Sequence, residues 1–188
     1  MVPMVVVGLS HRTAPVEVRE RLALPSDQLS GLLQRMAALP EVGEVLCLST
    51  CNRVEVVATP REPSAPVGDA LVRFLDEQAR QQSGTSVASH LYVHSNREAA
   101  AHLFRVASSL DSIVVGEPQI LGQVKDAFEA AQAAGTAGTV LTRVVSRALH
   151  AAKRVRSETT IGEGQVSVSS VAVDLAGQIF GTLRGRLG

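Results

Sequence analysis

The chain has 188 residues, of which 45% are apolar and 19% are charged, and this balance excludes a disordered polypeptide. Lysine and arginine together number 18, as do aspartate and glutamate, so no global electric field attracts nucleic acid. No signal-peptide pattern is present, and no apolar run approaches the ~20 residues of a membrane span. We therefore expect a cytoplasmic protein without membrane contact.

Predicted strands and helices alternate in the first half of the chain. In order, the predicted elements are a strand over 4–9, a helix from Ser26 that ends at Pro40, strands over 44–50 and 54–59, a helix over 67–82 and a short strand around Leu91 and Val93. This order, β-α-β-β-α-β, is that of a ferredoxin-like split unit. The predicted class is α+β, with a helical subdomain following this unit.

Helical spacing dominates after residue 95. The predicted helices are one capped by Asn96, one that starts at Gly116-Glu117-Pro118 with Pro118 in the first turn, one that Thr139 opens, and a last one from about Val168 to Leu183. We expect three units: a ferredoxin-like subdomain over 1–95 that holds the nucleophile, a helical subdomain over 96–160, and a linker helix over 161–188.

A thiol lies at the predicted bend between the second and third strands. Cys51 is flanked there by Asn52 and Arg53, so it can be accessible, and a neighbouring cation stabilises a thiolate. A lone cysteine is nevertheless more often structural than catalytic. Cys47 lies within an apolar run and is expected to be a core residue.

Other polar residues lie at predicted element ends. Ser112 and Glu117 precede a helix whose Gln119 and Gln123 share one face, an arrangement suited to an acidic or amino-acid-like ligand. Taken alone, these residues are equally consistent with a solvated helix face, and His102 with a packed residue. The histidines and cysteines show no metal-ligand spacing, and no metal is expected.

Four sequence blocks resemble the N-terminal part of glutamyl-tRNA reductase. They are Gly8 to Val16 with Arg19-Glu20-Arg21, Leu48 to Glu55, His102 to Ser112 with Gly116 to Lys125, and Ala152 to Thr159. The blocks occur in the family's order and span nearly the whole chain. One departure is Ser109, where the family often has glycine.

The resemblance implies specific roles for these residues. Cys51 would attack the ester carbonyl of glutamyl-tRNA, and the resulting thioester would accept a hydride from NADPH to give glutamate-1-semialdehyde for tetrapyrrole (porphyrin, haem) biosynthesis. His102 would be a second catalytic residue. The positions expected to contact the glutamyl group are Thr50, Asn52, Arg53, Ser112, Glu117, Pro118, Gln119 and Gln123. An arginine at position 53 suits a bidentate pair with the substrate carboxylate.

The same resemblance implies partners beyond this chain. The family binds NADPH through a Rossmann domain that follows the equivalents of Gln178-Ile179-Phe180, and no glycine-rich fingerprint occurs here. We therefore expect a fragment that forms the thioester but only deacylates its substrate. The implied partners are glutamyl-tRNA, a second subunit in a homodimer, and glutamate-semialdehyde aminomutase.

Two alternatives remain open from the residues alone. An RNA-binding module has the same strand order, although these strands carry few aromatic residues for base stacking. A cysteine-based acyltransferase or thiol redox protein would also use Cys51. The cations Arg143, Arg147, Lys153, Arg154 and Arg156 are candidates for tRNA contact by charge alone.

Overall fold

A computed structural model describes residues 3–22, 26–162 and 178. The elements are β1 (Val5–Ser10), α1 (Val16–Glu20), α2 (Ser26–Ala37), β2 (Val42–Ser49), β3 (Arg53–Pro60), α3 (Val67–Ser83), β4 (Tyr92–Ser95), α4 (Asn96–Ala107), α5 (Gln119–Ala133) and α6 (Thr139–Glu158), with single 3₁₀ turns at Ala88–His90 and Thr160–Gly162. The helix predicted from Val168 to Leu183 lies outside the described residues except for position 178. Among the described residues, no helix combines the length and the apolar character needed to cross a membrane.

The four strands form one antiparallel sheet in the order β2-β3-β1-β4. This arrangement confirms the predicted α+β class and the ferredoxin-like order. The two central strands, β1 and β3, are rich in valine, whose β-branched side chain suits a packed sheet. Both strands are buried almost along their whole length, so helices cover both faces of the sheet.

Successive side chains of β4 show which helices cover each face. The side chain of Val93 lies against Gly68 of α3, whereas the rings of Tyr92 and His94 lie 5.6 and 4.7 Å from that of His102 on α4. Because neighbouring strand residues point to opposite faces, α3 and α4 lie on opposite sides of the sheet. Helix α2 contacts α3, and α5 and α6 pack with α4. The sheet therefore lies between two helical layers.

The predicted Asn96 cap is wrong. Ser95 occupies the N-cap position of α4 and makes no side-chain capping bond. Asn96 itself has φ 52°, and its backbone N–H donates to the Met4 carbonyl at 2.6 Å. The chain therefore passes from β4 straight into α4 through one left-handed residue, a conformation that asparagine tolerates better than most residues.

The start of α6 is fixed by the edge strand β2. Two backbone N–H groups, of Val140 and Leu141, donate to the Glu44 carboxylate at 3.0 and 2.7 Å. Just before this helix, Thr136 accepts from the Val45 N–H and donates to the Val45 carbonyl, each at 2.9 Å. The helix does begin at Thr139 as predicted, but its orphan N–H groups are satisfied by a carboxylate from a distant strand.

Candidate active site

The turn between β2 and β3 places Cys51 at its tip. The Thr50 N–H donates to the Arg53 carbonyl at 2.8 Å, while the Thr50 hydroxyl accepts from the N–H groups of Asn52 and Arg53, each at 3.2 Å. These three bonds close the turn around the cysteine. Cys51 is exposed and its thiol is free, so the side chain is open to a reactant.

The segment that follows β1 supports this turn from the other side. The His11 N–H donates to the Asn52 carbonyl at 2.9 Å, and Arg19 Nε donates to the Cys51 carbonyl at 3.1 Å. A second Arg19 nitrogen, Nη1, donates to the Ala14 carbonyl at 3.0 Å. The backbone around Cys51 is therefore held by two separate segments, while its side chain stays unpaired.

A small cleft lies between this turn and the start of α5. Its lining consists of Thr50, Cys51, Asn52, Arg53, Ser112, Glu117, Gln119, Ile120 and Gln123. The structure thus brings together residues from two of the four sequence blocks that carry the resemblance. The cavity has a volume of about 20 Å³, which is room for roughly one water molecule. Any amino-acid-sized ligand has to displace side chains in order to enter.

Two of the singled-out residues lie outside the cleft lining. Pro118 precedes α5 and lines a neighbouring cavity with Leu121 and Lys153. His102 is buried on the side of α4 that faces the sheet, and its Nε2 lies 2.8 Å from Glu55 Oε1. An ionised carboxylate only accepts hydrogen bonds, so this ring nitrogen carries the proton.

A buried polar network connects the cleft to His102. Arg53 is 1% exposed; its Nη1 donates to Glu55 at 2.8 Å and its Nη2 donates to the Asp111 carboxylate at 3.1 Å. The Glu55 carboxylate also accepts from the Tyr92 hydroxyl and from His102. We call Arg53, Glu55, Tyr92 and His102 the buried network. It places a cation, an anion and two hydrogen-bond donors beneath the cleft.

The charges of the buried network stabilise one another. Burial opposes ionisation of Glu55, but the hydrogen bond from His102 and the charge of Arg53 outweigh it and lower the Glu55 pKa. Burial likewise opposes the charge of Arg53, but Glu55 and the other negative groups outweigh it and raise the Arg53 pKa. Burial, reinforced by the Glu55 charge, raises the pKa of Tyr92. Tyr92 therefore stays a neutral donor to an ionised Glu55.

Gly8 makes the contact between Tyr92 and Glu55 possible. On β1, Gly8 is paired with Glu55 of β3 on one side and with Tyr92 of β4 on the other. These three residues form one row across the sheet, and the row has no side chain at its centre. A Cβ atom at position 8 would lie 2.3 Å from the Val54 carbonyl oxygen. Glycine is therefore required here, and the Tyr92 hydroxyl reaches Glu55 across it.

A tightly bonded loop carries Ser112 and Glu117 to the cleft. Ser109 has φ 60°, its hydroxyl donates to the Glu117 carbonyl at 2.7 Å, and its own carbonyl accepts from Gly116 at 3.0 Å. From α6, Arg156 donates to the Gly116 and Glu117 carbonyls at 3.3 and 3.4 Å. The glycine-to-serine departure noted at position 109 thus lies at a left-handed residue, where the serine hydroxyl supplies an extra bond.

Sequence reasoning gave no role to Glu55, Tyr92 or Asp111. The alternation of Arg53 and Glu55 within an apolar strand was an available signal, because residues two apart in a strand share one face. No such signal links Arg53 to Asp111, which is 58 residues away. Asp111 also pairs with Arg12 at 3.2 Å, so two arginines share one carboxylate beside the cleft.

His11 is a further titratable group beside the turn. Its Nδ1 is buried and has no hydrogen-bond partner among the described residues. Burial, followed by the nearby charge of Arg53, lowers the His11 pKa. The imidazole therefore favours its neutral form.

The described residues do not fit a dinucleotide or a metal site. The four strands are antiparallel, and in residues 3–22 and 26–162 no glycine-rich loop joins a strand to a helix N-terminus in the way that a dinucleotide fold requires. The same part of the chain contains no group of three or more metal-ligating side chains. The chemistry available in the cleft is that of a thiol surrounded by amides, hydroxyls and charged groups.

Comparisons with known proteins identify the family of this chain. A family model described as "Glutamyl-tRNAGlu reductase, N-terminal domain" matches residues 7–159. The curated glutamyl-tRNA reductases of Syntrophotalea carbinolica and Sorangium cellulosum are 52% and 51% identical over 181 and 198 residues. These alignments cover 96% and 97% of this chain.

A solved structure is also similar. The glutamyl-tRNA reductase from Methanopyrus kandleri superposes with a TM-score of 0.72 at 35% identity, over 95% of this chain and 40% of that chain. The two curated relatives are covered over 40% and 37% of their length, so this chain spans about two fifths of the proteins that it matches. The chain belongs to the family of glutamyl-tRNA reductase N-terminal domains.

Proposed function

We propose that this chain is the catalytic domain of an NADPH-dependent glutamyl-tRNA reductase in tetrapyrrole biosynthesis, with Cys51 as its nucleophile. The observation that carries the proposal is the position of the Cys51 thiol, which is exposed at the tip of a rigid turn and lines a polar cleft. A nucleophilic cysteine needs both accessibility and an ordered backbone. Cys47 has neither access nor an easily ionised thiol, because burial raises its pKa to about 12.

The proposed first step is an acyl transfer. The Cys51 Sγ attacks the carbonyl carbon of the glutamyl ester, and the bond from that carbon to the ribose oxygen of the tRNA breaks. The oxygen leaves with a proton as a hydroxyl group, and the glutamyl group remains on sulfur as a thioester. A thioester is the more reactive acyl compound, so covalent capture divides a difficult reaction into two easier steps.

The polar cleft side chains are proposed to bind the glutamyl group. The Glu117 carboxylate suits the ammonium group, while the amides of Gln119 and Gln123 and the hydroxyl of Ser112 suit the substrate oxygens. Thr50, Asn52 and Pro118 complete the proposed set by shaping the turn and the start of α5. The narrow cavity makes this binding an induced fit.

Arg53 is proposed to bind the substrate carboxylate through an exchange of partners. Its Nη1 remains bound to buried Glu55, while Nη2 releases Asp111 to the incoming ligand. Asp111 is partly exposed and keeps Arg12 as a second partner, so its release does not leave a charge unpaired.

His102 is proposed to act as a positioning residue. It contacts Glu55 but does not line the cleft, so its route to the reacting atoms passes through Glu55 and Arg53. A donor at this place holds the carboxylate, and the carboxylate holds the guanidinium. His102 therefore orients the group that receives the substrate.

We propose the reduction of the thioester for the full-length enzyme and not for this chain. The family name of the relatives denotes a reductase, and NADPH is the hydride donor that we propose for the full-length enzyme, which would form glutamate-1-semialdehyde in the cytoplasm. The described residues provide no site for that cofactor. Homodimerisation and a complex with glutamate-semialdehyde aminomutase are likewise proposed for the full-length protein.

The test uses the present chain with labelled glutamyl-tRNA and NADPH. We expect slow release of free glutamate by hydrolysis of the thioester and no semialdehyde, with release abolished by Cys51→Ser. Cys47→Ser is the matched control, since it removes the other thiol and leaves Cys51 in place. Unchanged deacylation by Cys51→Ser, or semialdehyde formed at the rate of a full-length enzyme, would contradict the proposal.

The RNA-binding and thiol-redox alternatives receive no support from the described structure. An RNA-binding sheet displays aromatic residues on an open face, whereas helices cover both faces here and the Tyr92 ring packs against His94 and His102. A redox pair of Cys47 and Cys51 would require a reactive thiol inside a buried strand. The raised pKa of Cys47 opposes this reactivity.

A further inference from the structure

Helix α6 carries an excess of positive charge in a chain whose net charge is zero. Its twenty residues include five lysines and arginines but one carboxylate, Glu158. By comparison, α3 on the opposite side of the sheet has Arg73 and Arg80 paired with Glu41 and Asp76, at 3.6 and 2.9 Å. Positive charge is therefore concentrated on one helix of one layer.

Four side chains of α6 form a single exposed stripe. Arg143, Arg147, His150 and Arg154 are all exposed and follow the i, i+4, i+7, i+11 spacing of one helix face. We call these four residues the basic stripe. At a rise of about 1.5 Å per residue, the stripe extends over roughly 17 Å.

Within residues 3–22 and 26–162, the first two arginines of the basic stripe have no acidic partner. Arg143 and Arg147 make no ion pair or side-chain hydrogen bond with any other described residue. Arg147 also lines a groove of about 520 Å³ together with Arg97 and Phe104 of α4. An arginine that the fold leaves unpaired is available to an external anion.

The direction of α6 connects the basic stripe to the cleft. The helix begins beside Glu44, at the start of β2, and its last turn reaches the cleft loop, where Arg156 donates to the Glu117 carbonyl. Glu117 and Cys51 line the same cleft. The C-terminal end of α6 therefore lies beside the cleft, but Arg156 projects from the opposite side of the helix to the basic stripe, so an RNA bound along the stripe would reach Cys51 around the end of α6.

We propose that the basic stripe of α6 is the docking surface for the double-stranded RNA backbone that leads to the aminoacylated end of the substrate. This inference rests on the proposed function for the identity of the RNA. Arginines repeated along one helix face suit a polymer with repeated phosphates, and phosphate contacts supply affinity without reading sequence. The stripe holds the stem while the glutamyl group at its end enters the cleft.

The first test measures binding of unacylated glutamate tRNA to the intact chain by fluorescence anisotropy between 50 and 200 mM salt. Each phosphate contact is expected to add about 0.9 to the slope with which the logarithm of the binding constant falls against the logarithm of the salt concentration. For Arg143→Gln with Arg147→Gln we expect about tenfold weaker binding and a salt slope lower by about two. Arg73→Gln with Arg80→Gln removes the same charge from α3 and is expected to leave both quantities unchanged. Equal losses in the two double variants, or no loss in the α6 variant, would overturn the docking surface.

A second measurement separates this inference from the proposed function. A small activated glutamyl ester without RNA is expected to acylate Cys51 equally fast in the wild-type chain and in the α6 double variant, which also shows that the variant is folded. Slower acylation of the variant would overturn the inference, because the stripe would then serve the cleft itself. A different outcome is that the ester acylates neither protein while tRNA binding still depends on the stripe. That result would support the docking surface and contradict the proposal that Cys51 is the nucleophile. Binding to anionic lipid vesicles with the same arginine dependence, and no binding to tRNA, would overturn the RNA assignment.

Discussion

The turn that holds Cys51 and the buried network beneath it are neighbours in sequence but opposite in physical character. Cys51 is exposed and unpaired, whereas Arg53, two residues further on, is buried and makes an ion pair on each of two sides. The turn depends on backbone hydrogen bonds, and the network depends on charges that are mutually satisfied. The comparison indicates that the two tasks fall to different residues. The Cys51 thiol remains exposed, while the buried and paired side chain of Arg53 holds the backbone beneath it.

The largest expected effect comes from removing one charge of the buried network. Glu55→Gln leaves Arg53 buried with Asp111 as its one remaining ion-pair partner, and breaking a buried pair costs about 3–5 kcal/mol of unfolding free energy. Urea denaturation measures this loss. Glu129→Gln is the matched control, because Glu129 is an exposed partner of Lys125 and its replacement should change stability by less than about 0.5 kcal/mol. Equal stability of the two variants would mean that the network is not what makes the region rigid.

The next largest effect should come from the centre of the row that joins Tyr92 to Glu55. Gly8→Ala places a Cβ atom 2.3 Å from the Val54 carbonyl and 2.8 Å from Glu55 Cα, so we expect a loss of about 1–3 kcal/mol from overpacking. Gly31→Ala is the control: nothing lies within 4 Å of its Cβ position in α2, and alanine there should stabilise by about 0.5–1 kcal/mol. Thermal unfolding distinguishes the two variants by the sign of the shift, and a shift of the same sign in both would contradict the close-packing role.

Replacing His102 sharpens the comparison by testing whether it acts through Glu55. His102→Ala should lose about 1–3 kcal/mol of stability and much of the rate of Cys51 acylation, because the Glu55 carboxylate loses one donor in a buried site. His102→Gln keeps a donor and should restore part of both quantities. Acylation by a small glutamyl ester measures the rate. Full loss of the rate in His102→Gln, with stability retained, would instead indicate direct proton transfer by the imidazole.

Acid is expected to be the mildest perturbation, because it acts gradually. The pKa of Glu55 lies below its ordinary value of 4.5, so its contribution is present above that pH and is lost as pH falls through the folded-state value. The pKa of His11 lies below its ordinary value of 6.5, so the folded state resists protonation and stability declines as pH falls below 6.5. Denaturation midpoints between pH 7 and 4 should therefore decrease, and His11→Gln should remove the part of the decrease that starts first. Constant stability from pH 7 to 4.5 would contradict the His11 assignment, and constant stability as the pH falls further below 4.5 would contradict the Glu55 assignment.

The sequence supported a detailed prediction of the secondary structure because valine-rich runs and helical spacing are local signals. The strands, the three helices α4, α5 and α6 and the ferredoxin-like order follow from them. The short helix α1 was not predicted. The Asn96 cap failed because Asn96 adopts a left-handed conformation, with its N–H bonded to the Met4 carbonyl, and Ser95 takes the N-cap position. No local pattern reveals the contact with Met4.

The site was less predictable than the fold. The exposed position of Cys51 could be argued from a turn between two strands, but its neighbours come from segments about 60 residues away. The partners of Arg53 show the same limit: Glu55 is visible in the alternation of β3, while Asp111 is not. Long-range pairs depend on how layers pack, and periodicity within one segment contains no information about that packing.

The most direct test of the nucleophile is to identify where the glutamyl group resides during the reaction. The chain would be mixed with glutamyl-tRNA, quenched in acid to preserve a thioester, digested and analysed by mass spectrometry. We predict one glutamyl adduct on the peptide containing Cys51, also present in Cys47→Ser and absent in Cys51→Ser. Deacylation without any adduct, or an adduct on another residue, would contradict the assignment of Cys51.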